Sequence, residues 1–315
     1  MGRQAGASVR ASAWSAALVG GPLALWSAMH RSAMAGSGWT APRSNRRPFG
    51  RLWARSLGPD GDAVVLLHGL ISTGDVFGAA YEQLASTHRL LVPDLLGFGR
   101  SMDEQRSSFG VDAHLDALDE LAERSGLFNS SRWTLGAHSM GVSLALRWAI
   151  RHPDRVVRVV GWGAPTYPTP ELARRHVAGS AMARLFALDT PMAARACGLS
   201  CRHRTVAGWL SAVAEPQLPV AVARQAPLHT WPAYRDAIRY LVIDVDWEEL
   251  VTTCARLRVD IRFVWGERDA VGDRVYAEQL TSGRAGRVDV LDHGDHRLPL
   301  TNPATCISHL TAGLG

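Results

Sequence analysis

From Pro48 onward, short β-branched runs alternate with longer stretches of helical spacing, and that alternation restricts the chain to a mostly parallel sheet with helices on both faces. The pattern predicts strands at Phe49–Ala54, Ala63–Leu67, Arg89–Val92, Trp133–Ala137, Val156–Trp162, Ile261–Trp265 and Val288–Leu291. It predicts helices at Asp75–Ala85, Val111–Ser125, Gly141–Arg151, Asp273–Thr281 and Asn302–Ala312. Between about Tyr167 and Val251 no strand signal appears, and the segment reads as an inserted helical cap. The expected organisation is an extension at 1–47, an α/β core from 48–166 and 252–315, and a cap at 167–251. Leu185, Phe186, Trp209, Leu210, Trp231 and Leu241 read as packing residues of the cap. Open α/β folds bind ligands at the carboxyl ends of their strands, where such a cap lies.

Charge narrows the partners. Lys and Arg total 34 against 29 acidic residues, and every one of these cations is an arginine. Eight lie in residues 1–59, which hold no acid, so the rest of the chain is mildly acidic. No basic groove with interleaved aromatics is present, and nucleic acid is not an expected partner. Without lysine there is no Gly-x-x-x-x-Gly-Lys loop, and Gly97-x-Gly99 lacks a third glycine, so no nucleotide cofactor is expected.

Residues 1–35 offer three readings. Arg3 and Arg10 precede an apolar stretch from Ala11 to Met29, and Ala33-Met34-Ala35 resembles a cleavage site. Gly20-Gly21-Pro22 breaks that stretch, which argues against a spanning helix. The leading reading is a cytoplasmic extension, beside export and contact with a membrane surface. The four cysteines are too few for a disulfide framework. Cys197 and Cys201 are four apart with His203 close by, but two thiols and one imidazole fall short of a complete ligand set, and no metal is expected.

The chemistry concentrates in Trp133-Thr-Leu-Gly-Ala137-His138-Ser139-Met140-Gly141, a strand that must turn into a helix within a few residues. Such a turn strains the central serine and demands small neighbours two positions away on each side, as Ala137 and Gly141 are. The Ser139 hydroxyl is thereby presented at the sheet edge, and the Met140 amide opens a helix N-terminus where it can donate to a developing oxyanion.

This string resembles the nucleophile elbow of the α/β-hydrolase superfamily. Three further motifs agree in order: His68-Gly69-Leu70 after a strand, Asp94-Leu-Leu-Gly97-Phe-Gly99-Arg-Ser101, and Gly266-Glu-Arg-Asp269 after another strand. Leu291-Asp-His293-Gly294-Asp295-His296 resembles the superfamily's histidine loop. The resemblance covers about residues 48–314 outside the cap. It implies an α/β-hydrolase-type sheet carrying Ser139 as nucleophile, His296 as general base and Asp269 as the acid that orients it, with the Leu70 and Met140 amides as oxyanion hole. His68, Gly69, Ala137 and Gly141 then support the site. His293 competes with His296 and Glu267 with Asp269, while His138, Asp94, Ser101 and Ser143 read as structural.

A serine at the elbow points to an acyl-enzyme and to hydrolysis of a carboxylic ester or thioester, that is, a carboxylesterase acting on a small acyl ester. Carbon–carbon bond hydrolysis and acyl transfer use the same side chains, although carbon–carbon hydrolases tend to carry an aromatic after the base, where Arg297 stands. A non-catalytic ligand-binding protein on this fold is the alternative of a different class.

Overall fold

The computed structural model describes residues 24–32, 34–35, 37–179, 190–283 and 286–312. Eight strands form one sheet: β1 (Arg47–Phe49), β2 (Leu52–Leu57), β3 (Ala63–Leu67), β4 (Arg89–Pro93), β5 (Trp133–His138), β6 (Val156–Trp162), β7 (Asp260–Gly266) and β8 (Gly286–Leu291). Their spatial order is β1-β2-β4-β3-β5-β6-β7-β8. β1 and β2 run antiparallel to their neighbours, and β4 through β8 pair in parallel.

Both faces of the sheet are buried, which is why its strands read as near-continuous apolar runs. In β3, Val65 and Leu67 face one core while Val64 and Leu66 face the other. The first core is closed by α1 (Val111–Ser125) and α2 (Gly141–Arg151), with Trp133 and Trp148 packed 5.2 Å apart between ring centroids. On the opposite face, Trp162 of β6 meets Phe77 and Tyr81.

Two expected elements come out differently. Phe49–Ala54 is not one strand but the junction of β1 and β2, a hairpin in which Phe49 pairs with Leu52 and Gly50 turns the chain at φ 62°. Asp75–Ala85 is not an α-helix but two 3₁₀ helices, Gly74–Val76 and Ala79–Ser86. A distant segment causes the break. Ala79 N donates to Thr40 O at 2.9 Å, and a Cβ on Gly78 would lie 2.5 Å from that same oxygen. Trp39 Nε1 adds a bond to Asp75 O at 2.9 Å.

Between β6 and β7 the described residues form the helices α3 (Pro170–Val177), α4 (Pro191–Arg202), α5 (Arg204–Ala214), α6 (Val220–Ala223), α7 (Trp231–Ile238) with a π turn at Arg239–Ile243, and α8 (Trp247–Arg256). Three of these helices start in the same way. Thr169, Thr190 and Thr230 are N-caps whose side chains accept from Leu172 N, Ala193 N and Ala233 N, and a proline occupies each first turn. Such a cap is worth about 1 kcal/mol, and proline's missing N–H costs nothing there. Leu241 and Ala237 are buried, but Trp209 and Leu210 are 51% and 65% exposed, so the reading of those two as packing residues is corrected. They lie on the outer side of α5. Leu185 and Phe186 fall outside the described residues.

The chain closes with α9 (Arg274–Thr281), α10 (Leu298–Thr301) and α11 (Pro303–Thr311). Near the N-terminus, residues 24–32 and 34–35 are helical and contact α5 and the turn after it, through Trp26 Nε1 to Val213 O at 3.1 Å and His30 Nδ1 to Pro216 O at 3.0 Å. Arg3, Arg10 and Gly20-Gly21-Pro22 lie outside the described residues. No helix among the described residues is long and apolar enough to cross a membrane.

Candidate active site

β5 and α2 are joined by two residues, and Ser139 takes up the turn at φ 51°. For a side chain with a Cβ this left-handed conformation costs about 1–2 kcal/mol, so the surroundings must hold it. Ser139 N donates to Trp162 O at 2.8 Å, and Ser139 O accepts from Val142 N at 3.0 Å. Gly141 is required by proximity, since a Cβ there would stand 2.7 Å from His68 O and 2.8 Å from Leu67 O. Ala137 is fully buried, paired with Leu67 of β3 and Gly161 of β6.

Beyond β7, Asp269 N bonds back to Gly266 O at 2.9 Å and turns its carboxylate inward. That side chain is fully buried, and its Oδ1 accepts from Val271 N at 2.8 Å. The loop after β8 returns against the same turn: Glu267 N donates to Leu291 O and Arg268 N to Gly294 O, both at 2.9 Å. His296 is thereby set between two partners. Its Nδ1 lies 3.0 and 3.1 Å from the Asp269 oxygens, and its Nε2 lies 3.1 Å from Ser139 Oγ. These partners assign the proton to Nδ1 and leave Nε2 as the acceptor for the serine hydroxyl.

A family model described as alpha/beta hydrolase fold matches residues 62–188. Among solved structures, E-2-(acetamidomethylene)succinate hydrolase superposes with a TM-score of 0.59 at 22% identity, over 85% of this chain and 98% of that one. The chain has the α/β-hydrolase fold. A carboxylesterase from the thaumarchaeon Nitrososphaera gargenis superposes on this chain with a TM-score of 0.59 at 15% identity, over 82% of this chain and 92% of that one. Curated relatives include Lipase 3 of Moraxella sp. (strain TA144), 31% identical over 30% of each chain. Another is the cis-3-alkyl-4-alkyloxetan-2-one decarboxylase of Xanthomonas campestris pv. campestris, 31% identical over 43% of this chain and 47% of that protein. These matches span less than half the length of either relative.

The rival side chains pair with each other, away from Ser139. His293 is 89% exposed, its Nδ1 is 3.7 Å from the Glu267 carboxylate, and its N–H donates to Glu267 at 3.1 Å. Asp295 is taken up by Arg297, whose N donates to it at 2.9 Å. His138 touches the site from behind, with Nε2 2.7 Å from the backbone oxygen of His296 and ring centroids 4.8 Å apart. Burial, helped by the neighbouring His296 ring, pushes His138 down to about 3, so at neutral pH it is an uncharged donor to the histidine loop.

His68 spans two loops. Its Nδ1 is 2.7 Å from Gly69 O and its Nε2 accepts from Leu95 N at 2.9 Å, an arrangement that requires the neutral ring, as does the burial that lowers its pKa. Gly69 lies against the elbow, since a Cβ there would be 3.1 Å from Ser139 Cβ. Asp94 is buried and accepts from Gly74 N at 2.8 Å and Arg100 N at 3.0 Å, while Ser101 Oγ donates to Asp94 O at 2.7 Å. Both residues brace their loop. Ser143 Oγ donates to Leu241 O at 2.8 Å and to Met140 O at 3.2 Å, tying α2 to the π turn. Among the described residues the Leu70 and Met140 amides have no protein acceptor.

Sequence reasoning missed two features. Gly163, one residue past β6, sits at φ 57°, where a Cβ would be 2.7 Å from Asp269 Oδ2 and 2.8 Å from His296 Nδ1. A glycine directly after a buried strand was the available signal. The second is His229. The cysteine pair of α4 meets His229 and not His203, which lies beyond the last residue of that helix.

Proposed function

We propose that this α/β-hydrolase cleaves a carboxylic ester or thioester of a small acyl substrate through an acyl-enzyme at Ser139. The reading is carried by His296, whose two ring nitrogens stand within 3.1 Å of the Ser139 hydroxyl and the Asp269 carboxylate. Serine is a weak nucleophile at neutral pH, and a base at this distance takes its proton as the Oγ–carbonyl bond forms. The buried Asp269 holds the imidazole in the Nδ1–H tautomer and stabilises the cation that forms. The Leu70 and Met140 amides receive the oxyanion, each such donor being worth about 3 kcal/mol of barrier. His296 then returns the proton to the leaving alcohol or thiol, and water repeats the cycle on the acyl-serine. Selection of the acyl group falls, in this reading, to the described helices of the cap, α3 to α7. Relatives named as lipase, carboxylesterase and thioesterase agree with the substrate class.

Ser139→Ala should abolish turnover of a short-chain p-nitrophenyl ester and labelling by a fluorophosphonate. Labelling of another serine, or activity retained in the variant, would end this reading.

A further inference from the structure

Three soft donor atoms converge between α4 and the turn before α7, and the reaction proposed at Ser139 does not use them. Cys197 and Cys201 are one helical turn apart, so both thiols point from one face of α4, with their sulfurs 3.6 Å apart. His229, 28 positions after Cys201, brings Nδ1 to 3.8 Å from Cys197 Sγ. All three donor atoms lie within 4.8 Å of one another.

Those separations can be compared with a known geometry. Tetrahedral zinc with Zn–S bonds of about 2.3 Å and Zn–N bonds of about 2.05 Å holds two sulfurs about 3.8 Å apart and a sulfur and a nitrogen about 3.6 Å apart. The Cys197–Cys201 and Cys197–His229 spacings already agree with these edges to about 0.2 Å. We propose that Cys197, Cys201 and His229 form a binding site for a thiophilic transition ion of the zinc type, with its fourth position taken by water.

The surroundings suit such an ion. Two thiolates neutralise a divalent cation, so the filled site carries no net charge into a region where Cys197 is 2% and His229 7% exposed. Binding releases two protons, one from each thiol. The His229 ring is held in place by Tyr234, stacked at 5.1 Å and 24°. Ligation by Nδ1 moves the ring proton to Nε2 and ends the 3.2 Å contact with Thr230 O. Half-buried Cys201 gives the ion its route in.

The site would also tie distant segments together. Phe98 and His229 are bridged as adjacent strands are, and Gly99 N donates to Leu228 O at 2.8 Å. Phe98 in turn packs edge-on against His68 at 5.9 Å. An ion at His229 therefore fastens α4 to the Asp94–Ser101 loop.

The full chain, purified reduced and stripped with a chelator, is titrated with cobalt(II) alone. One equivalent should produce a sulfur-to-cobalt charge-transfer band that zinc abolishes, and zinc should protect Cys197 and Cys201 from alkylation. Cys197→Ser and Cys201→Ser, checked for folding by circular dichroism, should each lose the band and weaken zinc binding by at least about 100-fold, the upper end of what losing an outer-shell partner costs. His203→Ala should keep both. The proposal is overturned if the wild-type chain shows no band at saturating cobalt while both thiols stay reactive, if the band survives Cys197→Ser, or if the native mass is lighter by two hydrogens, revealing a disulfide.

Discussion

Alanine at Gly163 would insert a methyl group where the Asp269–His296 pair has no room for one. Its Cβ would stand 2.7 Å from Asp269 Oδ2 and 2.8 Å from His296 Nδ1, whereas comfortable non-bonded contact begins near about 3.3 Å, so one partner must move by about 0.5 Å. Asp269 is fixed from behind by Val271 N, which leaves the imidazole to give way. The 3.1 Å contact between His296 Nε2 and Ser139 Oγ would then open to about 3.6 Å, beyond hydrogen-bonding range. Catalytic groups tolerate about 0.5 Å of misplacement, and 1 Å can cost about 100-fold. The expected loss in kcat on a p-nitrophenyl ester is therefore about 10- to 100-fold, or about 1.4–2.7 kcal/mol of barrier, with a smaller change in KM. The left-handed backbone adds about 1–2 kcal/mol of lost stability, read as a lower urea midpoint. A folded Gly163→Ala enzyme with kcat within twofold of wild type would refute the claim that this glycine sets the spacing of the pair.

Acid stability offers another check. His114 is buried with both ring nitrogens unpaired among the described residues, and burial lowers it to about 4. The unfolded chain takes up that proton near pH 6.5 and the folded chain only near 4, so His114 removes about 3 kcal/mol of stability as pH falls through this window and nothing above it. His114→Leu should flatten urea midpoints measured between pH 7 and 4, and an unchanged decline would count against the assignment. Arg55 has no exposed side-chain surface and donates to Gly74 O at 2.8 Å, Phe77 O at 2.5 Å and Glu82 at 3.2 Å. Arg55→Ala leaves all three without it and should cost about 3–5 kcal/mol in equilibrium unfolding; a loss under about 1 kcal/mol would contradict this.

What was legible in the sequence depended on how locally each feature is determined. β3 and β6 coincide with their expected bounds because a strand buried on both faces reads as a near-continuous apolar run, interrupted in β6 by Arg158. The elbow could be read because its strain is relieved by residues only two positions away, and the approach of Asp269 and His296 to Ser139 follows from motifs at the ends of three strands. Gly50 and Gly78 were misjudged for the opposite reason. At Gly78 the deciding contact is Thr40, far back in the chain, and at Gly50 a two-residue hairpin hides inside an apolar run. Gly163 and His229 matter only through side chains that folding brings to them. On α5, helical spacing identified Trp209 and Leu210 but not which side of the helix would meet the body.

The meeting of Gly266 and Gly294 makes two separate stretches of sequence behave as one heritable unit. A methyl group on the first would fall 2.2 Å from the carbonyl carbon of the second, and one on the second 2.9 Å from the Cα of the first. Neither position can diversify while its counterpart keeps its backbone path. In gene shuffling among homologues, a crossover between residues 266 and 294 would join an Asp269 turn and a His296 loop with separate histories, and progeny should survive only when both parents supply glycine at these two places.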